Sequence, residues 1–219
     1  PPVSEELERS ETERLTAFLN SVYERNVAAA PEWETALGRK TDQQGEWNDY
    51  SDAFDASQLE LAVADLERMR TGFDYDQLDA NGKLSYDLFT YTVERAVDNA
   101  DWRRHDYVID QFRGQIAGLF AFLQNDHSVD TVKDAEDYVQ RIAGLQNVFA
   151  ELTTQLRDRA EFGVLTPAFA YPDMISDVLS MTSGYPITDS ERENPLMTDF
   201  NKKLGELDPG QESSDQLQN

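Results

Sequence analysis

Residues 131–162 read TVKDAEDYVQRIAGLQNVFAELTTQLRDRAEF, and this stretch decides the fold. Its apolar residues recur at alternating spacings of three and four, which places them on one face of an α-helix. They are Ala135, Tyr138, Ile142, Leu145, Phe149, Leu152 and Leu156. The pattern predicts a single helix roughly 48 Å long. A helix of that length cannot bury its apolar face alone, so we expect the other segments to pack on it.

Both ends of this predicted helix carry recognisable signals. Thr131 and Asp134 have the spacing of a capping box, and Asp134 and Asp137 lie at the positive end of the helix dipole. Arg159 is in the last turn, and Gly163 follows as a stop. We therefore expect the helix to begin and end within this stretch.

The same periodicity predicts further helices along the chain. They span residues 11–29, 31–37, 56–70, 83–99, 114–124, 172–181 and 196–207. The predicted fold is an all-α array of about seven or eight helices packed around the long central helix of about residues 131–162. Residues 1–10 are predicted as a flexible lead, 11–207 as one helical domain and 208–219 as a disordered tail.

The helix predicted over residues 83–99 is expected to bury Leu84, Leu88 and Tyr91, together with the aliphatic part of Arg95, because these residues share one helical face.

The segment before that helix resembles a calcium loop. With Gly82 at the sixth position of an EF-hand, Asp79 and Asn81 fall at the third and fifth positions. The first and twelfth positions are then Gln77 and Leu88, which supply no carboxylate. We interpret the segment as a turn and helix N-cap, with calcium binding as the weaker alternative.

Composition excludes several function classes. The 219 residues carry a formal net charge of −24. A surface this acidic repels the phosphate backbone of nucleic acids and anionic membrane surfaces, so binding to either is not expected. No apolar run approaches the roughly 18 residues of a membrane span, so we expect no membrane insertion. The charge itself is interpreted as a solvated acidic surface, with a surface for cations or a basic partner as the alternative.

The residues alone reveal no complete active site. Cysteine is absent, and the two histidines, His105 and His127, lie on different predicted elements without the H-E-x-x-H spacing of a zinc site. We place His105 on the surface beside Asp106, and His127 in the polar turn before the central helix. Arg141, in the middle of that helix, is predicted to be a buried structural arginine with acidic partners.

Several short segments recur in the order found in a known family. They are Ala30-Pro31-Glu32 with Leu37-Gly38, Leu84-Ser-Tyr-Asp-Leu88, Asp110-Gln111-Phe112-x-Gly114, Asp134-Ala-Glu-Asp-Tyr138-Val-Gln-Arg141, Arg159-Ala-Glu-Phe-Gly163-Val-Leu-Thr-Pro167 and Ser190-Glu-Arg-Glu-Asn-Pro195-Leu-Met-Thr-Asp-Phe200. Together they resemble the DUF885 family of bacterial proteins over roughly residues 15–207. No single segment is specific, and the resemblance depends on their order and spacing.

This resemblance implies a larger, mostly helical protein, exported to the periplasm or anchored by a lipid. Members of the family carry an H-E-x-x-P-G-H zinc signature in their C-terminal half, similar to that of gluzincin metallopeptidases. The present sequence contains no such motif. We therefore carry over no catalytic or metal-binding residue, and we expect zinc only in a C-terminal half.

The resulting hypothesis is that the chain is the N-terminal helical portion of a metallopeptidase-like protein and is inactive alone. Its expected partners are the C-terminal catalytic half and a peptide substrate. Asp110, Gln111, Gly114 and Arg141 match family positions; they either line a substrate cleft or hold the N-terminal half together, and we favour the second role. The alternative hypothesis is a stand-alone helical binding or scaffold protein of the cell envelope.

Overall fold

The computed structural model describes residues 9–111 and 115–207, and this part of the chain is helical without a named strand. Its eight α-helices are α1 Glu11–Ala28, α2 Pro31–Ala36, α3 Asp52–Gly72, α4 Ala80–Asp98, α5 Gln115–Asn125, α6 Val132–Glu161, α7 Tyr171–Met181 and α8 Pro195–Leu207. Short 3-10 helices occupy Tyr75–Gln77, Ala100–His105 and Ala168–Ala170. The predicted all-α class is confirmed. None of the described helices combines the length and the apolar character that crossing a bilayer requires.

Helix α6 is the long helix that the sequence predicts. Thr131 is its N-cap: the side chain accepts a hydrogen bond from the backbone of Asp134, whose carboxylate in turn accepts from the backbone of Thr131. This reciprocal capping box satisfies two amides that have no partner within the helix. After the helix, Gly163 has a φ of +80°, a left-handed conformation that favours glycine.

The buried face of α6 differs in part from the predicted one. Ala135, Tyr138, Leu145 and Leu152 are buried as expected, but Ile142 and Leu156 are exposed at 36% and 37%. Phe149 is half-buried. The interior is instead contacted by the neighbouring positions, Arg141 and Val148. Periodicity predicted the helix correctly but misplaced part of its buried stripe.

The described helices form two compact units. The first consists of the described residues within Pro1–Ala29 and Tyr50–Arg103, and the second of those within Ala30–Asp49 and Arg104–Asn219. The single domain expected over residues 11–207 stays a prediction. Most of the lead and all of the tail lie outside the described residues, although Ser10 is visible as the N-cap of α1.

The first unit contains α1, α3 and α4 around a small apolar core. The buried core residues are Leu15, Leu66, Met69, Leu78 and Val93, and Phe18, Leu19, Ala62, Phe73, Tyr86 and Phe89 pack against them. Beside the core, the buried carboxylate of Asp65 forms ion pairs with Arg25 and Arg68. Burial alone would raise the pKa of Asp65, but the hydrogen bonds from the two arginines lower it.

The buried face predicted for α4 is wrong. Leu84, Leu88 and Tyr91 are exposed at 57%, 56% and 60%, whereas Val93 and Gly82 on the opposite face are buried. Apolar residues occupy two faces of this helix, and only one of them reaches the core.

The hydrogen bonding of Asp79 confirms that the segment before α4 is a turn and helix N-cap. Its carboxylate accepts a hydrogen bond of 2.8 Å from the backbone of Gly82. The helix consequently begins at Ala80, three residues earlier than expected. Calcium binding at this segment stays the weaker prediction.

The second unit is built on α5, α6 and α8. Tyr138 of α6 stacks on Phe200 of α8 with ring centroids 5.0 Å apart, and Leu119, Phe120 and Leu123 are the buried residues of α5. Helix α5 also contacts α7. This unit contains the most deeply buried polar cluster, which is described next.

Candidate functional site

A fully buried guanidinium lies at the middle of α6. Arg141 has no exposed surface. Its Nε donates to the carbonyl of Glu46 at 2.9 Å, and Nη2 donates to the hydroxyl of Thr35 at 2.9 Å and to the carbonyl of Pro31 at 3.3 Å. Nη1 donates to Nδ1 of His127 at 3.0 Å. One side chain therefore joins α2, the segment after it and the turn before α6.

The partners of Arg141 correct the sequence-based expectation. We predicted acidic partners, but the guanidinium donates to carbonyls, a hydroxyl and an imidazole. Two aromatic rings also lie beside it, with Phe122 at 4.8 Å and Trp47 at 5.8 Å. Burial lowers the pKa of Arg141 to about 10, so the side chain remains a cation at neutral pH.

His127 is held as a neutral ring in this cluster. An arginine can only donate, so Nδ1 of His127 must accept and the proton must reside on Nε2. That Nε2 donates to the carbonyl of Asp134 at 3.1 Å. Burial lowers the pKa of His127 to about 4, and the charges of Arg141 and Lys203 act in the same direction. His127 lies in the predicted turn, but it is completely buried.

Trp47 packs beside Arg141 in the cluster. Its indole Nε1 donates to the carbonyl of Arg141 at 2.6 Å. The ring lies so close to Gly144 that a Cβ at that position would come within 2.9 Å of Trp47 Cδ1. A glycine is therefore required in the middle of α6, at a position where its helix propensity is poor. Through this hydrogen bond Trp47 anchors the segment after α2 to α6.

Lys203 of α8 also takes part in the cluster. Its ammonium donates to the carbonyls of Leu123, at 2.8 Å, and His127, at 3.0 Å, near the end of α5. It also forms an ion pair with Asp199 at 2.8 Å, and Asp199 accepts a hydrogen bond from the hydroxyl of Tyr138 at 3.0 Å. Burial raises the pKa of Tyr138, so its hydroxyl stays protonated and can donate.

The polar groups of this cluster are hydrogen-bonded within the chain itself. Arg141, His127 and Lys203 direct their polar atoms at acceptors and donors of the chain itself, which satisfies groups whose isolated burial would be costly. His127 has both ring nitrogens engaged, so it has no lone pair left for a metal or a proton transfer.

An apolar groove forms a second candidate site between α5, α6 and α7. It has a volume of about 270 Å³ and is lined mainly by Ile116, Leu156, Met174, Ile175, Val178 and Leu179. Helix α7 has no buried residue, and Ile175 and Leu179 are exposed at 56% and 61%. The groove is therefore an open apolar surface rather than part of the core.

A smaller apolar groove lies between α6 and α8. It has a volume of about 200 Å³, and its walls include Val139, Ile142, Ile187 and Met197. Ile142, predicted to be buried, thus contributes to a surface groove.

Comparison with protein-family models shows which family the chain belongs to. A family model described as "Bacterial protein of unknown function (DUF885)" matches residues 31–219. The chain belongs to the DUF885 family. No curated protein matches it.

Of the four positions singled out in this DUF885 chain, three lie in the described residues, and Arg141 shares no hydrogen bond with the other two. Arg141 forms the buried cluster, whereas Asp110 and Gln111 are half-buried in the segment before α5 and are not hydrogen-bond partners of Arg141. The hydroxyl of Thr166 donates a hydrogen bond of 2.9 Å to the carbonyl of Ile109, the residue before Asp110. Gly114 lies outside the described residues. The roles of these positions as a cleft wall or a structural support stay predictions.

The described part of this DUF885 chain does not fit a zinc site. His105 is exposed on the 3-10 helix Ala100–His105, as predicted, while His127 is buried in the cluster. Across residues 9–111 and 115–207, no three His, Cys, Asp or Glu side chains are grouped so that they could hold a metal.

Sequence reasoning missed His127, Thr35 and Lys203 as members of the cluster. Their partners lie far away along the chain, so no local sequence pattern connects them to the cluster.

Proposed function

We propose that this chain is the N-terminal helical portion of an exported DUF885 protein of the metallopeptidase-like type, without catalytic activity of its own. In this role the second unit packs against a C-terminal catalytic half and helps to frame its peptide cleft. The observation that carries the proposal is the open apolar groove of α5, α6 and α7.

Exposed apolar area of this kind supports a packing role. Contiguous apolar patches on soluble monomers are small, and larger ones mark contact surfaces. Between α6 and α7, Phe162, Leu165 and Phe169 are also exposed, and Ile175 and Leu179 continue this apolar character along α7. Covering such side chains removes apolar area from water, which contributes about 25 cal/mol per Å² before the entropic cost of association is subtracted.

The chemistry would then belong to the other half. The resemblance implies a His-Glu-x-x-Pro-Gly-His segment there, in which two histidines six residues apart hold zinc and the glutamate activates a bound water. The described residues of this chain do not fit zinc. Its contribution would be a rigid scaffold, for which the Arg141 cluster is suited.

The first experiment is to sequence the native gene beyond codon 219. An open frame of several hundred codons with a His-Glu-x-x-x-x-His pattern is the expected result. The encoded segment should then co-purify with this chain, and peptide hydrolysis should require both parts. Chelator-sensitive hydrolysis by this chain alone would overturn the proposal of an inactive portion.

The alternative is a stand-alone helical binding or scaffold protein of the cell envelope. It is favoured by the Arg141 cluster, whose polar groups are satisfied within the second unit, as expected of a unit that folds by itself. A stop codon after codon 219, one cooperative unfolding transition and weak binding of an apolar dye would support it. Strong dye binding would favour packing against a second half.

A further inference from the structure

The groove between α5, α6 and α7 is open rather than enclosed, and its volume lies just below the range of typical ligand pockets. Ligand pockets are usually 300–1,000 Å³ and enclose most of the molecule that they bind. This groove measures about 270 Å³ and its walls include exposed side chains. A cavity of 150 Å³ holds one benzene ring, so the groove has room for one or two large apolar side chains of a macromolecular partner.

The arrangement of α7 suits a helical partner. Tyr171, Ile175 and Leu179 line the groove at spacings of four residues, along roughly 12 Å of helix. A ridge of this kind pairs with a second helix that presents apolar residues three, four and seven positions apart.

The negative charge of the chain indicates which residues should flank the apolar face of the partner helix. The protein carries a net charge of −24, and Asp173 and Asp177 are exposed on α7 itself. The terminal segments outside the described residues are acidic or polar, PPVSEELE at the start and DPGQESSDQLQN at the end, so neither offers a basic amphipathic helix. A second copy would bring the same negative charge. Basic residues beside the apolar stripe are the complementary chemistry.

We infer that the groove of α5, α6 and α7 is a docking site for an amphipathic helix whose apolar face is flanked by Lys or Arg. The source of that helix, the C-terminal half of the same protein, rests on the proposed function; its chemistry rests on the groove and the charge alone. The occupant inserts one or two apolar anchors beside Ile175 and Leu179.

The test uses the full 219-residue chain and a fluorescein-labelled helical peptide of about 18 residues, long enough to cover α7. The peptide has Leu along one face and Lys on the others, and fluorescence anisotropy measures its binding. The protein variant combines Ile175→Ser and Leu179→Ser. Its matched control combines Leu88→Ser and Leu84→Ser on α4, since those side chains are exposed to nearly the same extent, 56% and 57% against 56% and 61%.

We expect the α7 double variant to bind the peptide at least about ten-fold more weakly, equivalent to about 1.4 kcal/mol, and the α4 control to bind within about two-fold of the original chain. A peptide with Glu in place of Lys should not bind. Raising the salt concentration should weaken binding of the Lys peptide, because its charges remain exposed.

Three results would overturn the inference. Equal binding by the α7 variant and the original chain would mean that the groove is not the site. If the Glu peptide bound as tightly as the Lys peptide, basic residues would not be required in the partner helix. A dimer in sedimentation experiments that the α7 variant dissociates would make a second copy the occupant. If the Lys peptide binds as expected but the downstream segment fails to co-purify, the proposed function fails while the docking site stands.

Discussion

Replacing Arg141 by methionine should strongly destabilise the second unit. Methionine retains much of the aliphatic volume of the arginine and is a good helix former, so the helix itself is little affected. What is lost is the guanidinium that joins α2, the segment after α2 and the turn before α6.

The magnitude follows from the groups left without a partner. The carbonyl of Glu46 and Nδ1 of His127 lose the bond from Arg141, while Thr35 and Pro31 still bond each other at 3.0 Å. Each buried orphan costs about 1–3 kcal/mol. Relief from burying the guanidinium offsets part of this cost, so the free energy of unfolding should fall by about 3 kcal/mol.

Urea unfolding followed by circular dichroism at 222 nm and by tryptophan fluorescence measures this loss. Arg157→Met is the matched control, because Arg157 lies on the same helix but is exposed, and it should change the free energy of unfolding by less than about 0.5 kcal/mol. If Arg141→Met were within about 1 kcal/mol of the original chain, the view of Arg141 as the central structural residue would be refuted.

Three further predictions concern single residues. The pKa of His127 is about 4 in the folded chain and ordinarily 6.5, so the unfolded chain binds more protons between these pH values. Stability should therefore be full above pH 6.5 and fall on the order of 3 kcal/mol towards pH 4, as measured by unfolding at each pH. Asp79→Ala removes an N-cap bond of 2.8 Å and should cost about 1 kcal/mol with or without calcium. Gly118→Ala, where an added Cβ meets no atom within 4 Å, should raise the melting temperature, whereas Gly144→Ala should lower it and alter the fluorescence of Trp47.

Each of these three predictions has an outcome that would contradict it. A His127→Gln variant that keeps the whole pH dependence would assign the effect to other groups. A rise in melting temperature of the original chain in millimolar calcium, absent from Asp79→Ala, would revive the calcium alternative. Equal effects of the two glycine substitutions would show that the ring of Trp47 moves aside at no cost.

Features that depend on neighbours along the chain were predicted well. The capping box of Thr131 and Asp134, the stop at Gly163 and the turn at Asp79 involve residues within a few positions of one another. Their hydrogen bonds form wherever the chain makes a helix, so the sequence contains the whole signal. The same applies to Pro31, which begins α2 as predicted.

Buried faces were predicted less well. On α4, Leu84 and Leu88 lie on an apolar face opposite Val93, and only the face with Val93 meets the core of the first unit. On α6, Arg141 occupies the interior where Ile142 was expected. A helical period identifies an apolar face, but which face is covered depends on the other helices.

The candidate site shows the same division. Family resemblance and helix position drew attention to Arg141, yet its partners Thr35, Glu46 and His127 come from segments that no local pattern connects.

The sequence by itself determined the all-α class, the extent of the long helix, its caps and the acidic character of the surface, because these follow from local hydrogen bonding, residue period and charge. Only the tertiary structure decided that Arg141 and His127 form a satisfied buried pair and that Ile175 and Leu179 remain open in a groove. Both outcomes depend on which distant segments pack against a side chain, and burial of this kind sets whether a polar group is satisfied or an apolar one stays in water.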